Sequence, residues 1–291
     1  MDFYISALTL ALATSMLAWG VYLSVRIFNL PDITTDGSYT LSAAITAVCL
    51  LTGMPWYFSI LCGIIAGAAA GALTGAIHTF LGINALLAGI LVMTALYSVN
   101  LSVMGRSNLP LSADCDSVFS SLAISEDLYV NEFMVVSLFA SASMALLFWF
   151  LKTDFGLALR ATGQSEAMAA SMGINTRAMK IIGLAIANGF TAFSAALVCQ
   201  MQQFADINMG IGIVILGLGS VMMGDSLQKL FGLNALVLQL LLVLVGCLIF
   251  RLIMAYTLAS GVDPNWMKLF NALIVLAFVS LPVLRKKWKI R

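Results

Sequence analysis

The 291-residue chain offers little to covalent chemistry. Its one histidine, His78, stands in no His-Glu-x-x-His string, and no Gly-x-Ser-x-Gly turn presents a nucleophilic serine. Five cysteines (Cys49, Cys62, Cys115, Cys199 and Cys247) form no Cys-x-x-Cys pair, and four of them lie in apolar runs. They read as small buried hydrophobes rather than metal or redox groups. The phosphate-cradling Gly-x-x-x-x-Gly-Lys-Ser/Thr string does not occur, so any use of ATP must rest on a separate polypeptide. The sequence therefore predicts no catalytic residue, no metal site and no cofactor. What remains is recognition.

The most informative stretch for recognition is Gln164-Ser165-Glu166-Ala167-Met168-Ala169-Ala170-Ser171-Met172-Gly173, preceded by Arg160-Ala161-Thr162-Gly163. Residues 164–172 are good or tolerable helix formers. Gly173 suits the left-handed position that ends a helix, with Ile174 supplying the accompanying hydrophobic contact. Asn175 or Thr176 then caps the next helix. The spacing predicts one short helix, too short and too polar to cross a membrane. Ala167, Ala169 and Ala170 allow close approach, while Met168 and Met172 offer adaptable apolar contacts. Such a helix can plug into a groove of another protein, or serve only as an amphipathic connector; the residues leave both readings open.

The elements that must hold this stretch are set by composition. Hydrophobic residues make up 62% of the chain and charged residues 9%, with a mean hydropathy of +1.04. A soluble domain is typically about 25% charged, and a soluble chain this poor in charge could not cover its surface. The chain is read as an all-α polytopic integral membrane protein whose exterior is solvated by the lipid bilayer. A net charge of +1 gives no sign of a nucleic-acid partner. A helix needs about 20 apolar residues to span the hydrocarbon core. Residues 5–28, 56–77, 83–103, 132–151, 179–202 and 231–255 meet that length, 269–284 is read as a span with them although it holds only 16 residues, and the runs 39–53 and 208–224 bring the count to about nine, within a range of about eight to ten. The first run lacks the basic start of a cleavable signal and reads as a retained helix. An odd count with a cytoplasmic carboxyl terminus puts the amino terminus outside. The cytoplasmic side then holds Arg26, Lys152, Arg160, Arg177, Lys180, Lys229, Arg285, Lys286, Lys287, Lys289 and Arg291, against Arg106, Arg251 and Lys268 outside. The positive-inside rule favours this orientation. Eight acids (Asp2, Asp114, Asp116, Glu126, Asp127, Glu132, Asp206 and Asp263) fall outside, which agrees but weighs little. The whole of 1–291 is one membrane domain, with an acidic, Ser-rich external loop at 105–131 and a cytoplasmic loop at 152–178.

Within the spans, Gly63, Gly67, Gly71 and Gly75 recur every four residues and make a stripe for close helix packing. The glycines from Gly210 to Gly224 mark a tightly packed or irregular segment, of the kind transporters unwind beside a substrate. Polar residues in or near spans include Asn84, Asn100, Asn188, Gln200, Gln202, Asn234 and Gln239, each suited to bonding a neighbouring helix. Of the polar set, Asn84, Asn188, Gln200, Asp206 and Asn208 are the candidates to line a translocation path. Asp206, Asp225, Arg251 and Glu132 are placed near the interfaces, which leaves the membrane centre almost free of ionisable groups. Ion-coupled carriers often keep such groups at mid-depth, so this scarcity favours a pump powered by another subunit.

The stretch 160–163 with 168–176 resembles the cytoplasmic loop of ABC importer permeases of the branched-chain amino acid and ribose type. The resemblance continues through Leu184-Ala185-Ile186-Ala187-Asn188-Gly189, Gln203-Phe204-Ala205-Asp206-Ile207-Asn208-Met209-Gly210-Ile211-Gly212 and Gly217-Leu218-Gly219-Ser220-Val221-Met222-Met223-Gly224-Asp225. Asp36-Gly37-Ser38-Tyr39 looks like that family's opening of its second helix. The match covers most of the chain and lies nearest the subgroup associated with tryptophan/tyrosine-type uptake; the acidic external loop departs from the pattern. The resemblance implies that 164–173 is a coupling helix docking into a cytoplasmic ATPase subunit. It also implies an external substrate-binding protein, a second permease copy as a homodimer, and a small solute such as an amino acid, moved across the bacterial cytoplasmic (inner) membrane. A stand-alone secondary carrier or channel is the alternative, and a membrane scaffold that merely recruits a partner is a third reading.

Overall fold

The computed structural model describes residues 2–112, 115–232, 235–261, 263 and 266–288. Asp114, Asn234, Lys289 and Arg291, used in the reading above, lie outside the described residues. The chain runs through α1 (Asp2–Val21), a π-helical turn (Tyr22–Ile27), α2 (Thr34–Leu51), α3 (Trp56–Phe80), α4 (Ala85–Met104), β1 (Asn108–Pro110), α5 (Val118–Ser121), α6 (Leu128–Lys152), α7 (Asp154–Gln164), α8 (Glu166–Ser171), α9 (Thr176–Gln202), β2 (Phe204–Asp206), α10 (Ile213–Phe231), α11 (Leu236–Ala259) and α12 (Met267–Trp288). Among the described residues six segments are long and apolar enough to cross a membrane: α1 with its π turn, α3, α4, α6, α9 and α11.

Two helices start elsewhere than hydropathy places them. α2 begins at Thr34, not residue 39, because Thr34, Thr35, Asp36 and Ser38 are buried and hydrogen-bonded. Read by hydropathy alone, polar residues of that kind resemble a loop. α10 begins at Ile213, not residue 208. Gly212 takes φ +83° just before it, a conformation that suits glycine. Its first N–H groups meet a carboxylate: Gly212 N and Val214 N donate to Asp36 Oδ2 and Oδ1 at 2.8 and 3.0 Å. An acid at a helix N-terminus satisfies orphan donors and complements the dipole.

The core is a central layer of α1, α2 and α9, with α3, α4, α6, α10 and α11 around it. α3 and α9 form the most extensive helix pair, and the glycine stripe explains it. A Cβ on Gly63 would meet Ser42 and Thr46 of α2. One on Gly67 would meet Ala192, one on Gly71 Leu184 O and Asn188, and one on Gly75 Ile181, all of α9. Without side chains, these positions let the backbones approach within the same chain.

The segment 105–131 is tied down at one end of the bundle. β1 pairs antiparallel with β2, in the register Asn108↔Asp206, Leu109↔Ala205 and Pro110↔Phe204. α5 opens with a Ser117/Ser120 capping box. It is held by Gln200 Oε1, which accepts from Val118 N at 2.9 Å, and by Asn131 Nδ2, which donates to Phe119 O at 2.9 Å.

Candidate functional site

At the end of the bundle opposite the β-ribbon, the stretch 164–173 is not the single helix its residues predict. Gln164 closes α7, and the chain turns sharply at Ser165, where φ −157° and ψ 106° are extended. Serine breaks the helix because its side chain serves the next one: Ser165 Oγ accepts from Met168 N at 3.3 Å and caps α8. α8 ends as the sequence predicts, with Gly173 at φ +82° and Ile174 N donating to Ala169 O. Asn175 Oδ1 accepts from Ala178 N and starts α9.

Ala169 faces inward and is buried, while Ala167, Ala170, Ser171 and Gly173 are exposed. Met168 and Met172 are 65% and 70% exposed. Two adaptable apolar side chains left exposed beside small residues make a surface suited to docking. Glu166 fixes the turn: its carboxylate accepts from Lys180 Nζ of α9 at 2.7 Å and from Thr176 at 3.4 Å. The Lys180 hydrogen bond holds the Glu166 carboxyl below the usual glutamate range.

This turn is packed against the bundle's interior. Gly163 of α7 lies so close to Ile27 O and Phe28 that a side chain there would collide with them. The Phe28 ring in turn fills the space beside Gly183 of α9. Beyond Phe28 the chain reaches Asp32, whose Oδ1 accepts from Thr34 N at 2.9 Å and whose Oδ2 accepts from Asn188 Nδ2 at 2.7 Å. Asn188 also accepts from Ser38 Oγ at 2.6 Å and donates to Leu184 O. Asp36, one turn further, caps α10. The α7–α8 unit, the α1–α2 turn, α9 and the start of α10 are thus joined through contiguous contacts.

The five path candidates separate. Asn84 is exposed and caps α4 through Leu86 N. Asn188 is the hub just described, and Gln200 holds α5. Asp206 and Asn208 come together at the β-ribbon end, where Asp206 Oδ1 accepts from Asn208 N at 2.8 Å. They line a cavity of about 370 Å³ with Tyr39, Gln202, Ile213 and Arg251. Arg251 corrects the sequence reading that placed it near an interface. Its Nε donates to Thr14 Oγ1 at 3.3 Å, and Thr14 sits near the middle of the Phe3–Ile27 span. Hydropathy missed it because one arginine in the strongly apolar α11 leaves the window average high. Asp32 escaped notice because it follows Arg26 and reads as loop, whereas Asp36, singled out by resemblance as the opening of the second helix, was not foreseen as the cap of α10.

Residues 3–279 match the family model described as branched-chain amino acid transport system / permease component. The chain is 36% identical over 276 residues to a tyrosine transport system permease protein of Clostridioides difficile, covering 95% of this chain and 90% of the relative. It is 26% identical over 223 residues to a probable branched-chain amino acid transport permease protein, LivH, of Methanocaldococcus jannaschii, covering 72% and 69%. Among solved structures, one described as a metal-chelate type ABC transporter in an inward-facing conformation aligns with TM-score 0.54 at 16% identity, over 98% of this chain and 85% of that one. That likeness concerns the fold.

Proposed function

Since this chain belongs to the permease-component family of branched-chain amino acid transport systems, as a multi-pass ABC transporter permease of the cytoplasmic membrane, we propose that it carries an amino acid, aromatic ones foremost, delivered by an external binding protein. In this reading it works as a homodimer on two cytoplasmic ATPase subunits, and α8 is the coupling helix. Nine spans cross the bilayer: the six apolar segments together with α2, α10 and α12. At 18 and 19 residues, α2 and α10 are about 27–28 Å long, close to the hydrocarbon thickness. α2 falls short on hydropathy because it is buried by other helices and needs little apolar surface for lipid. Nine crossings put the amino terminus outside, the β-ribbon outside and α8 in the cytoplasm.

The observation that carries this reading is the exposed Met168/Met172 turn joined through Gly163 and Phe28 to the buried α1–α2 turn. ATP-driven closure of the ATPase dimer pushes on α8. The push passes through α7 to Ile27–Phe28, and through Asp32 and Asp36 to α9 and α10, so that access switches sides. Such a chain of rigid contacts can bias a two-state element from a distance.

Ala170→Arg tests it. Ala170 is exposed and helical, whereas Gly173 needs a positive φ, and its replacement would strain the turn whatever its role. In proteoliposomes holding the permease, its ATPase and its binding protein, Ala170→Arg is expected to insert and fold normally. It should cut both uptake and substrate-stimulated hydrolysis at least tenfold. Full uptake and full stimulation in that variant would sink the coupling role. Uptake by the purified chain under an ion gradient without ATP would instead establish a stand-alone carrier.

A further inference from the structure

The cavity at the β-ribbon end contains a charge that the fold does not use. Arg251 is half-buried in α11, and its Nε bonds Thr14. Among the described residues the ion pairs are Arg26–Asp225 and Glu166–Lys180, so Arg251 has no carboxylate partner. Its terminal guanidinium nitrogens make no hydrogen bond among the described residues either. An unpaired arginine at mid-depth in a membrane is costly, and such residues mark substrate paths rather than packing. The fork of a guanidinium matches a carboxylate with two parallel N–H donors.

The rest of the cavity is complementary to one kind of ligand. Asp206 presents a carboxylate whose two oxygens each accept a single bond, from Asn208 N and, at 3.3 Å, from Asn108 Nδ2. Each oxygen therefore retains a lone pair for a cation. Val198, Met209 and Ile213 supply apolar wall, with Gln202 and Asn208 adding amide groups. A volume of about 370 Å³ lies within the range of small-molecule sites. Arg251 also lines a second, more apolar cavity of about 300 Å³ beside Leu10 and Met254, so this residue borders two compartments. We infer that this cavity is a transit site for the zwitterion of an α-amino acid, with Arg251 taking the carboxylate, Asp206 facing the ammonium and the apolar wall receiving the side chain. The inference rests on the permease reading above and adds a point of substrate contact inside the passage itself.

Two measurements test it separately from that reading. Cysteine is placed at Asn208, and the complex is exposed from the β-ribbon side to sulfonate-bearing and trimethylammonium-bearing methanethiosulfonates. Each rate is corrected for the unsubstituted protein and divided by the reagent's rate with a free thiol. The anionic-to-cationic ratio is expected to fall at least fivefold with Arg251→Gln, hold with Arg251→Lys, and rise severalfold with Asp206→Asn. The last variant leaves the arginine in place, so a folding failure of Arg251→Gln does not remove the test. A ratio unmoved by the Asp206 or the Arg251 change overturns the site. In the second measurement, ATP-driven uptake of L-tyrosine should fall at least tenfold in Arg251→Gln. Arg251→Lys, which keeps the charge, should recover part of the uptake. Uptake unchanged in Arg251→Gln also overturns the assignment. Were the parent complex to show the labelling preference but no ATP-driven uptake, the permease reading would fail while the charge-selective cavity stood.

Discussion

In α1, α2 and α9 the buried polar side chains are hydrogen-bonded within the bundle, whereas on α8 apolar side chains are left exposed. Thr34 bonds Thr74, Ser42 bonds Ala192 O, Ser194 bonds Ala13 O, and Asn188 joins Asp32 to Ser38. In those three helices the buried side-chain atom left without a partner among the described residues is Gln200 Nε2. At α8 the balance is reversed, with Met168 and Met172 the exposed pair and only Ala169 turned inward. Buried polar groups that satisfy each other fix one arrangement of helices, because an unpaired one would cost the full desolvation penalty. Exposed apolar groups fix nothing in the isolated chain and gain only when a partner covers them. The interior is therefore built to hold and the turn to dock, and substitutions should separate the two.

The largest effect is expected at Asn188. Asn188→Ala removes three side-chain hydrogen bonds and takes from the buried Asp32 carboxylate its side-chain donor, leaving the backbone N–H of Thr34. Leaving a buried polar group without its partner costs about 1–3 kcal/mol, and more where that group is charged, while interhelical hydrogen bonds in membranes average about 0.6 kcal/mol. The expected loss lies between, about 3 kcal/mol, read as a lower unfolding midpoint in detergent. A midpoint unchanged by Asn188→Ala would break the contrast on the interior side. Gly71→Val comes next. Its new side chain meets Leu184 O and Asn188 across the α3–α9 contact, and overpacking of this kind costs about 1–3 kcal/mol. The same measurement checks it, and a neutral result would mean that α3 and α9 can separate without loss.

Hydropathy and spacing made the membrane character, the long helices and the close of α8 at Gly173 legible. Each is a local property: an apolar run, or a glycine where φ must be positive. The start of α2, the cap on α10 and the depth of Arg251 were not legible, and each depends on a residue distant in sequence. Nothing local to Asp36 shows that it caps α10, because the N–H it accepts belongs to Gly212, 176 positions away. Arg251 looks interfacial until Thr14, 237 positions away, shows where it lies. The break at Ser165 was local and readable in principle: Ser165 followed by Glu166 and Ala167 carries an N-cap signal inside what reads as one helix. Among the path candidates, Asp206 and Asn208 share a cavity because the β-ribbon folds their loop over it, a pairing set by Asn108 and its neighbours nearly 100 residues earlier.

The smallest effect is expected at Glu166, and its sign follows from the depressed carboxyl. A group held below its ordinary range in the folded state stabilises the fold above its unfolded value and ceases to do so as pH falls through the folded one. The Glu166–Lys180 pair should therefore be fully present at neutral pH and fade only in acid, below the ordinary glutamate range. Glu166 is half-exposed at 52%, and water and salt screen such a pair. Glu166→Gln should cost less than about 1 kcal/mol at pH 7 and progressively less as pH falls through the acid range, with the difference shrinking further in high salt. If that substitution lowered the unfolding midpoint as far as Asn188→Ala does, the α8 turn would be part of the structural core rather than a surface held ready for a partner. A small stability loss joined to a larger loss of ATPase coupling would instead show that Lys180 sets the angle at which Met168 and Met172 face that partner.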